Sequence, residues 1–361
     1  MSRFVANISD FLVSPESLIR DAIARMDEAA QGILLVADFE GSLIGTITDG
    51  DLRRAMMAGT DIARPVSELL KQKSHMDRDV PITAPADSPD SELLHMMVTL
   101  RLRHIPLLDN DKQPIDIALL SELAQEYEPN FQAVVMAGGL GTRLRPLTEN
   151  TPKPMLHVGG RPLMERTIEK LKKAGVGRVN ITTHYRPEKI VEHFGLGDEL
   201  GVDLNYVNED EPLGTAGALD LLDAWDETLL LINGDILTNV DFTAMLDYHR
   251  SHEAELTVAV RRYDVQVPYG VVECDGVNIS AIKEKPELRF FVNAGIYLLE
   301  PSLRHHIPKK TKFDMTDLIE SLIDDKANVV SFPIREYWLD IGQQEDYAQA
   351  QQDIESGRFV T

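Results

Sequence analysis

Cysteine is nearly absent: one residue, Cys274, in a chain of 361. That excludes a disulfide framework and a thiolate metal cluster. With no Cys-His motif around it, Cys274 reads as a small strand residue. Long apolar runs are also missing, and none approaches the roughly 20 residues that a membrane helix needs. The first 17 residues hold neither a continuous apolar core nor a cleavage-like site. These absences predict a cytoplasmic chain with no membrane contact. Basic residues are in deficit, with 36 Lys and Arg against 59 Asp and Glu for a net charge of −23. Residues 1–126 carry 12 basic and 21 acidic groups, and the remainder carries 24 and 38. Neither part is basic, which argues against a binder of DNA or RNA backbones. An acidic chain that takes a nucleotide must do so with a few well-placed cations. What is present is an ordinary core-forming composition, 43% hydrophobic, long enough for two or three domains.

Residues 1–126 contain an internal repeat. Leu34-Leu35-Val36-Ala37-Asp38 aligns with Ile105-Pro106-Leu107-Leu108-Asp109 at an offset of 71, and the same offset carries Asp51-Leu52 onto Glu122-Leu123. Each copy reads as an amphipathic helix (Ser17–Ala29, Ser88–Leu100), a strand, an acidic turn, a second strand and a helix. Ser88-Pro89 supplies a cap and a first-turn proline. With Gly45-Thr46-Ile47-Thr48-Asp49-Gly50-Asp51-Leu52 as its most specific stretch, this pattern resembles a pair of CBS domains, βαββα modules that often hold an adenine nucleotide. The resemblance implies that Thr48 and Asp51 contact ribose or phosphate. The second copy has Leu119 and Glu122 instead, leaving one good ligand site at most. A packing or dimerisation module without ligand is the alternative.

Tyr127-Glu128-Pro129-Asn130 forms a polar boundary, and strands then alternate with helices. Phe131–Met136, Arg178–Thr183, Val202–Val207 and Thr228–Ile232 read as strands. Pro162–Ala174, Pro187–Phe194 and Gly217–Ala224 read as helices, the first opened by proline and closed by Gly175. This alternation predicts a mostly parallel sheet covered on both faces, with ligands at the carboxyl ends of its strands. After the first strand come Ala137-Gly138-Gly139-Leu140-Gly141-Thr142-Arg143-Leu144. Such glycines let a backbone approach phosphate. A dinucleotide fingerprint would need a helix-opening glycine and a carboxylate about twenty residues on, and a P-loop would need Gly-Lys-Ser/Thr. Neither is there. Arg143 and Lys153, the latter stiffened between two prolines, are the available phosphate clamps.

The run Gly138-Gly139-x-Gly141-Thr142-Arg143-Leu144-x-Pro146-Leu147-Thr148, followed by Pro152-Lys153-Pro154-Met155-Leu156, resembles the sugar-1-phosphate nucleotidyltransferases. The resemblance extends over residues 131–345. It implies an α/β fold with a Rossmann-like, mixed but mostly parallel sheet over 131–361, behind the CBS pair. It also implies Mg²⁺ on Asp235 and Asp340, and a nucleotide on Ala137, Gly138, Gly139, Gly141, Thr142, Gly214 and Thr215. Gly270, Glu284, Lys285 and Asn293 would hold the sugar phosphate. Arg143 would clamp the leaving phosphates, Lys153 the α-phosphate and Lys285 the sugar phosphate. The expected reaction joins a nucleoside triphosphate to a sugar 1-phosphate and releases pyrophosphate. The loop Glu211-Pro-Leu-Gly-Thr-Ala-Gly217 resembles the GDP-sugar-forming branch, and the fused layout resembles the guanylyltransferases that activate glucosamine 1-phosphate for legionaminic acid. Mannose 1-phosphate, a thymidylyl- or uridylyltransferase, and a non-catalytic nucleotide sensor are the rivals. A homo-oligomer is expected. Glu209-Asp210-Glu211 reads as a solvated loop, and His157 and His184 as structural.

Overall fold

A computed structural model describes residues 4–5, 7–73, 80–100, 102–123, 131–223 and 225–359. The chain divides into two compact units, Met1–Tyr127 and Glu128–Thr361. The boundary expected at residues 127–130 lies outside the described residues.

In the first unit the 71-residue offset is kept by one helix and two strands of each copy. β1 (Leu12–Val13), α1 (Ile19–Ala29), β2 (Ile33–Ala37), β3 (Leu43–Thr48), α2 (Asp49–Met57) and α3 (Ser67–Lys73) form the first copy. β4 (Ala84–Pro85), α4 (Asp90–Leu100), β5 (His104–Leu108), β6 (Pro114–Leu119) and α5 (Leu120–Leu123) form the second. Each copy makes a three-stranded sheet in the order β1-β2-β3 or β4-β5-β6, with one parallel and one antiparallel pairing. The helix Ser17–Ala29 starts at Ile19, since Leu18 still has an extended backbone. Ile33, Leu35, Ile117 and Leu119 close a shared core between the two sheets. Ile33 and Leu35 of β2, and Ile117 and Leu119 of β6, turn alternate side chains to that core, as the two-residue period of a strand requires.

The second unit is a seven-stranded sheet. β7 (Phe131–Met136) is followed by the short hairpin β8 (His157–Val158) and β9 (Arg161–Pro162), then α6 (Leu163–Lys173), β10 (Arg178–Thr183), α7 (Pro187–Phe194) and β11 (Asp203–Asn208). Next come α8 (Gly214–Gly217), β12 (Thr228–Asn233), β13 (Ile236–Thr238), α9 (Phe242–Ser251) and β14 (Leu256–Gln266). β15 (Val271–Asp275), β16 (Asn278–Lys283), β17 (Glu287–Leu299), α10 (Met315–Asp324), β18 (Val329–Ile334), β19 (Trp338–Asp340) and α11 (Gln344–Glu355) complete it. The sheet order is β11-β10-β7-β12-β17-β14-β18, and only β17 runs against its neighbours. The helix expected at Gly217–Ala224 is displaced: α8 ends at Gly217 and a 3₁₀ turn follows over Ala218–Leu221.

The middles of β7 and β12 are apolar because both faces are covered. Ala133, Val135, Leu230 and Ile232 join one core with Met164, Ile168 and Phe242, while Val134, Leu229 and Leu231 join the other with Met315 and Leu318. The chain leaves β7 toward β10 and β11, then returns to lay β12 on the other side of β7. That reversal, at the carboxyl ends of β7 and β12, is where such folds bind ligands.

Candidate active site

Two loops meet at the reversal. The Ala137 amide donates to the Thr182 carbonyl at 2.9 Å, and the backbone then leaves the sheet. The amides from Gly138 to Arg143 donate to nothing among the described residues. A run of unpaired N–H groups at the end of a buried strand is a concavity for an anion. Gly141 holds the turn with φ +60°, and Thr148 Oγ1 donates to its carbonyl at 2.7 Å. On the other side, the Gly234 amide donates to the Met136 carbonyl at 2.9 Å. A side chain at Gly234 would meet that same oxygen at 2.7 Å and the Pro154 ring at 3.1 Å. The glycine therefore lets the loop after β12 close onto the Pro152–Pro154 turn.

That closure brings the predicted cation and carboxylates together. Lys153 donates to Asp235 Oδ2. β13 pairs antiparallel with β19, setting Asp340 opposite Ile236, and the Ile341 amide donates to the Asp235 carbonyl at 3.0 Å. Asp340 Oδ1 and Arg143 Nη1 both lie 3.8 Å from the space beside Gly342. Burial, and then the Asp235 carboxylate, push the Asp340 carboxyl above the usual range, with Lys153 and Arg143 opposing. So Arg143, Lys153, Asp235 and Asp340, far apart in sequence, share one locus. Asp235 Oδ1 and Asn233 Oδ1 are buried and accept no hydrogen bond. An orphaned carboxylate oxygen beside a second, repelled carboxylate is a donor set for a hard cation that completes its shell with water and phosphate. No group of three or more His, Cys, Asp or Glu converges among the described residues, so an all-protein metal cage is not what the site offers.

The remaining predicted residues divide. Asn293 reaches the same edge of the sheet as Asp235, through the antiparallel register that pairs Ile232 with Ile296. Its Oδ1 accepts from the Gly295 amide at 3.0 Å. Gly270 and Glu284 adjoin, with Glu284 Oε2 3.1 Å from where a β-carbon at Gly270 would lie. Lys285 has φ +44° and its ammonium makes no hydrogen bond among the described residues. Gly214 and Thr215 are tied to α10: the Thr215 amide donates to Asp314 Oδ1, and its hydroxyl accepts from the Met315 amide at 2.9 Å. The Thr215 hydroxyl thus satisfies the first amide of α10, which Asp314 caps. In the first unit, Thr48 and Asp51 form a capping box at the start of α2. Burial works against ionisation of Asp51, but Lys73, the Thr48 amide and Arg54 outweigh it and hold the carboxyl below its usual range. A nucleotide there would compete with Lys73, 3.0 Å from Asp51 Oδ2.

One residue was missed. Glu209 is 6% exposed, not part of a solvated acidic loop. Its amide donates to the Thr183 carbonyl and its Oε2 accepts from the Leu213 amide at 3.0 Å, folding residues 209–213 back on themselves. His184 Nδ1 lies 2.8 Å from the Glu209 carbonyl. Glu209 Oε1 sits 2.8 Å from the β-carbon position of Gly138 and accepts no hydrogen bond among the described residues. Burial pushes this carboxyl up, against the Leu213 amide and His184. Three acids in a row carried no sign of which one turns inward.

The mostly parallel sheet, with the amide-lined loop and the cation–carboxylate locus at its reversal, defines an α/β protein whose polar groups gather at the carboxyl ends of the strands. The nucleotidyl transferase family model matches residues 132–357, so the chain belongs to that family, and a CBS domain model matches residues 5–58. The rice (Oryza sativa subsp. japonica) protein named probable mannose-1-phosphate guanylyltransferase 2 is 34% identical over 227 residues, covering 60% of this chain and 63% of its own length. The Mycobacterium tuberculosis mannose-1-phosphate guanylyltransferase is 33% identical over 232 residues, covering 62% and 65%. The chain thus spans a little under two thirds of the length of these relatives. A Bacillus anthracis crystal structure, of a protein named for glucose-1-phosphate thymidylyltransferase activity, shares the fold at TM-score 0.53 and 24% identity, covering 64% of this chain and 96% of that one. No described helix is long and apolar enough to cross a membrane.

Proposed function

We propose that the chain transfers a nucleoside monophosphate, from GTP by preference, to a sugar 1-phosphate. A sugar-phosphate oxygen attacks the α-phosphorus in line, the α–β bond breaks, and pyrophosphate leaves with the electron pair. The attacking phosphate is already anionic, so no strong base is needed. The work is to bring repelling anions together, which positioning and electrostatics accomplish. The observation that carries the reading is the Lys153–Asp235 pair beside Asp340 and Arg143, facing the unpaired amides after β7. Those amides and Arg143 would receive the β- and γ-phosphates, Lys153 the α-phosphate, and Lys285 the sugar phosphate, with Glu284 and Asn293 toward its hydroxyls. Asp235 and Asp340 would hold Mg²⁺, which when bound neutralises phosphate charge.

Glu209 supports guanine. Its free carboxylate oxygen matches the adjacent N1–H and N2–H₂ donors of that base, whereas uracil and thymine present one donor between two carbonyls. For the sugar, the fused layout favours glucosamine 1-phosphate, as in legionaminic acid synthesis, and the names of the relatives favour mannose 1-phosphate. Pyrophosphate release with Mg²⁺, measured across nucleoside triphosphates and sugar 1-phosphates, tests both. Release with no pair, under conditions where GTP binds, would leave a nucleotide sensor instead.

A further inference from the structure

At the end of β10 the chain turns into α7 through Arg186, where local preferences oppose an arginine on every count. Its backbone is left-handed, at φ +52° and ψ +52°, a conformation that crowds any residue with a β-carbon. It stands directly before Pro187, whose ring favours an extended backbone in the preceding residue. It occupies the N-cap of α7, where Ser, Thr, Asp or Asn would satisfy an amide, yet it makes no capping hydrogen bond. Its positive charge lies at the positive end of the helix. Among the described residues no carboxylate pairs with it, in a chain that has 59 of them. A residue that breaks so many local rules is kept for what its side chain holds.

Arg186 holds the loop that runs from the glycine turn to Lys153. Its Nη2 donates to the Glu149 carbonyl at 3.4 Å and to Asn150 Oδ1 at 3.2 Å. Its Nε donates at 3.1 Å to the Tyr185 hydroxyl, which donates in turn to the Glu149 carbonyl at 2.8 Å, with the Thr148 carbonyl 3.4 Å away. Lys189, in α7, donates to the Asn150 carbonyl. The start of α7 thus grips the carbonyls of residues 148–150. Thr148 carries this restraint to the glycine turn, because its hydroxyl donates to the Gly141 carbonyl at 2.7 Å. A β-carbon at Gly141 would meet Thr148 Cγ2 at 3.0 Å and Lys153 Cβ at 3.3 Å, so turn, loop and lysine are packed as one piece. Only Thr151 and Pro152 separate Asn150 from Lys153. We infer that Arg186 is a positioning residue, which through this loop sets where the Gly141 turn and Lys153 meet the triphosphate. The inference rests on the transfer reading above. Glu284, Lys285 and Asn293, proposed for the sugar phosphate, share no hydrogen bond with Arg186, so its effect should fall on the nucleotide side alone.

Arg186→Gly in the full chain separates holding the loop from holding the fold. Glycine accepts the left-handed backbone and takes the cation off the helix start, so the melting temperature should hold or rise. Turnover of GTP with the sugar 1-phosphate should nonetheless fall roughly 10- to 100-fold, the effect of displacing a reacting group by about 1 Å. KM for the sugar 1-phosphate should stay within about twofold of the wild type, because that substrate is bound elsewhere. Millimolar guanidinium ion should restore part of the lost turnover. Arg186→Lys, which keeps the charge but cannot span Tyr185 and two loop oxygens, should fall between the two. A glycine variant with wild-type turnover overturns the inference. So does a loss that follows the melting temperature down, or one in which both KM values rise equally, since either would make Arg186 a general brace. An inactive wild type would sink the transfer reading and the inference together; an active wild type beside an equally active variant sinks the inference alone.

Discussion

Glutamine at position 209 is the sharpest probe of base choice. Glu209→Gln keeps the shape of the side chain and the acceptor for the Leu213 amide, now 3.0 Å from Oε2. It replaces the free oxygen beside Gly138 with an amide nitrogen, a donor facing the donors of guanine. A hydrogen bond to a charged group contributes about 1.5–3 kcal/mol, so losing one lowers kcat/KM for GTP roughly 10- to 150-fold. Donor facing donor pushes the loss toward the upper end. UTP and dTTP behave oppositely: a carboxylate repels their carbonyl oxygens, and an amide does not, so their kcat/KM should hold or rise. The assay is coupled pyrophosphate release with each triphosphate at fixed sugar 1-phosphate. An equal loss with every base would mean that Glu209 only braces the 209–213 loop, and no loss with any would remove it from the base site. The wild-type pH profile gives a second check. Burial raises the Glu209 carboxyl, so GTP selectivity should fade on the acid side at a higher pH than an ordinary carboxylate would set.

Asp235→Asn should lower turnover with Mg²⁺ on the order of 10²-fold or more, since a bound metal supplies several kcal/mol of charge stabilisation; chelation should do the same to the wild type, and near-normal rates would take Asp235 out of the metal site. In the first unit, His104 is held down to about 3 by burial and then by Arg103, against the Gln31 backbone. Its depressed folded value means that the unfolded chain takes up a proton first. The neutral ring therefore contributes its full stability above about pH 6.5, and that is lost as pH falls toward 3, by up to ~1.4 kcal/mol per pH unit. His104→Leu should flatten that slope, read as amide exchange at β5 in the full chain; an unchanged slope would clear His104. Asp51→Ala removes a capping box and leaves Lys73 and Arg54 unpaired, so the first unit should lose about 1–2 kcal/mol in urea titration. A tighter adenine nucleotide complex in that variant would contradict a role for Asp51 as ligand.

Much of this architecture was legible in residue order. The 71-residue offset places β2 on β5, β3 on β6 and α1 on α4 without a slip, because the same apolar spacing makes the same element twice. β7, β10 and α7 fall where the alternation puts them. The glycine loop and the Pro-Lys-Pro turn announced phosphate chemistry through residue types alone. What failed was local in a different way. The helix expected at 217–224 became α8 and a 3₁₀ turn because Thr215 and Gly217 are held by the start of α10, about a hundred residues on. Glu209 looked like one of three solvated acids until the Leu213 amide turned it inward.

By itself, then, the sequence determined the elements and the residues able to carry charge, because hydrophobic period, capping and turn chemistry act over a few positions. Which of those charges meet was decided by tertiary structure. Arg143, Lys153, Asp235 and Asp340 converge only because the sheet reverses at β7 and β19 lies along β13. Their pairing is a Coulomb interaction, and its strength is set by distance and burial, which no spacing along a chain encodes.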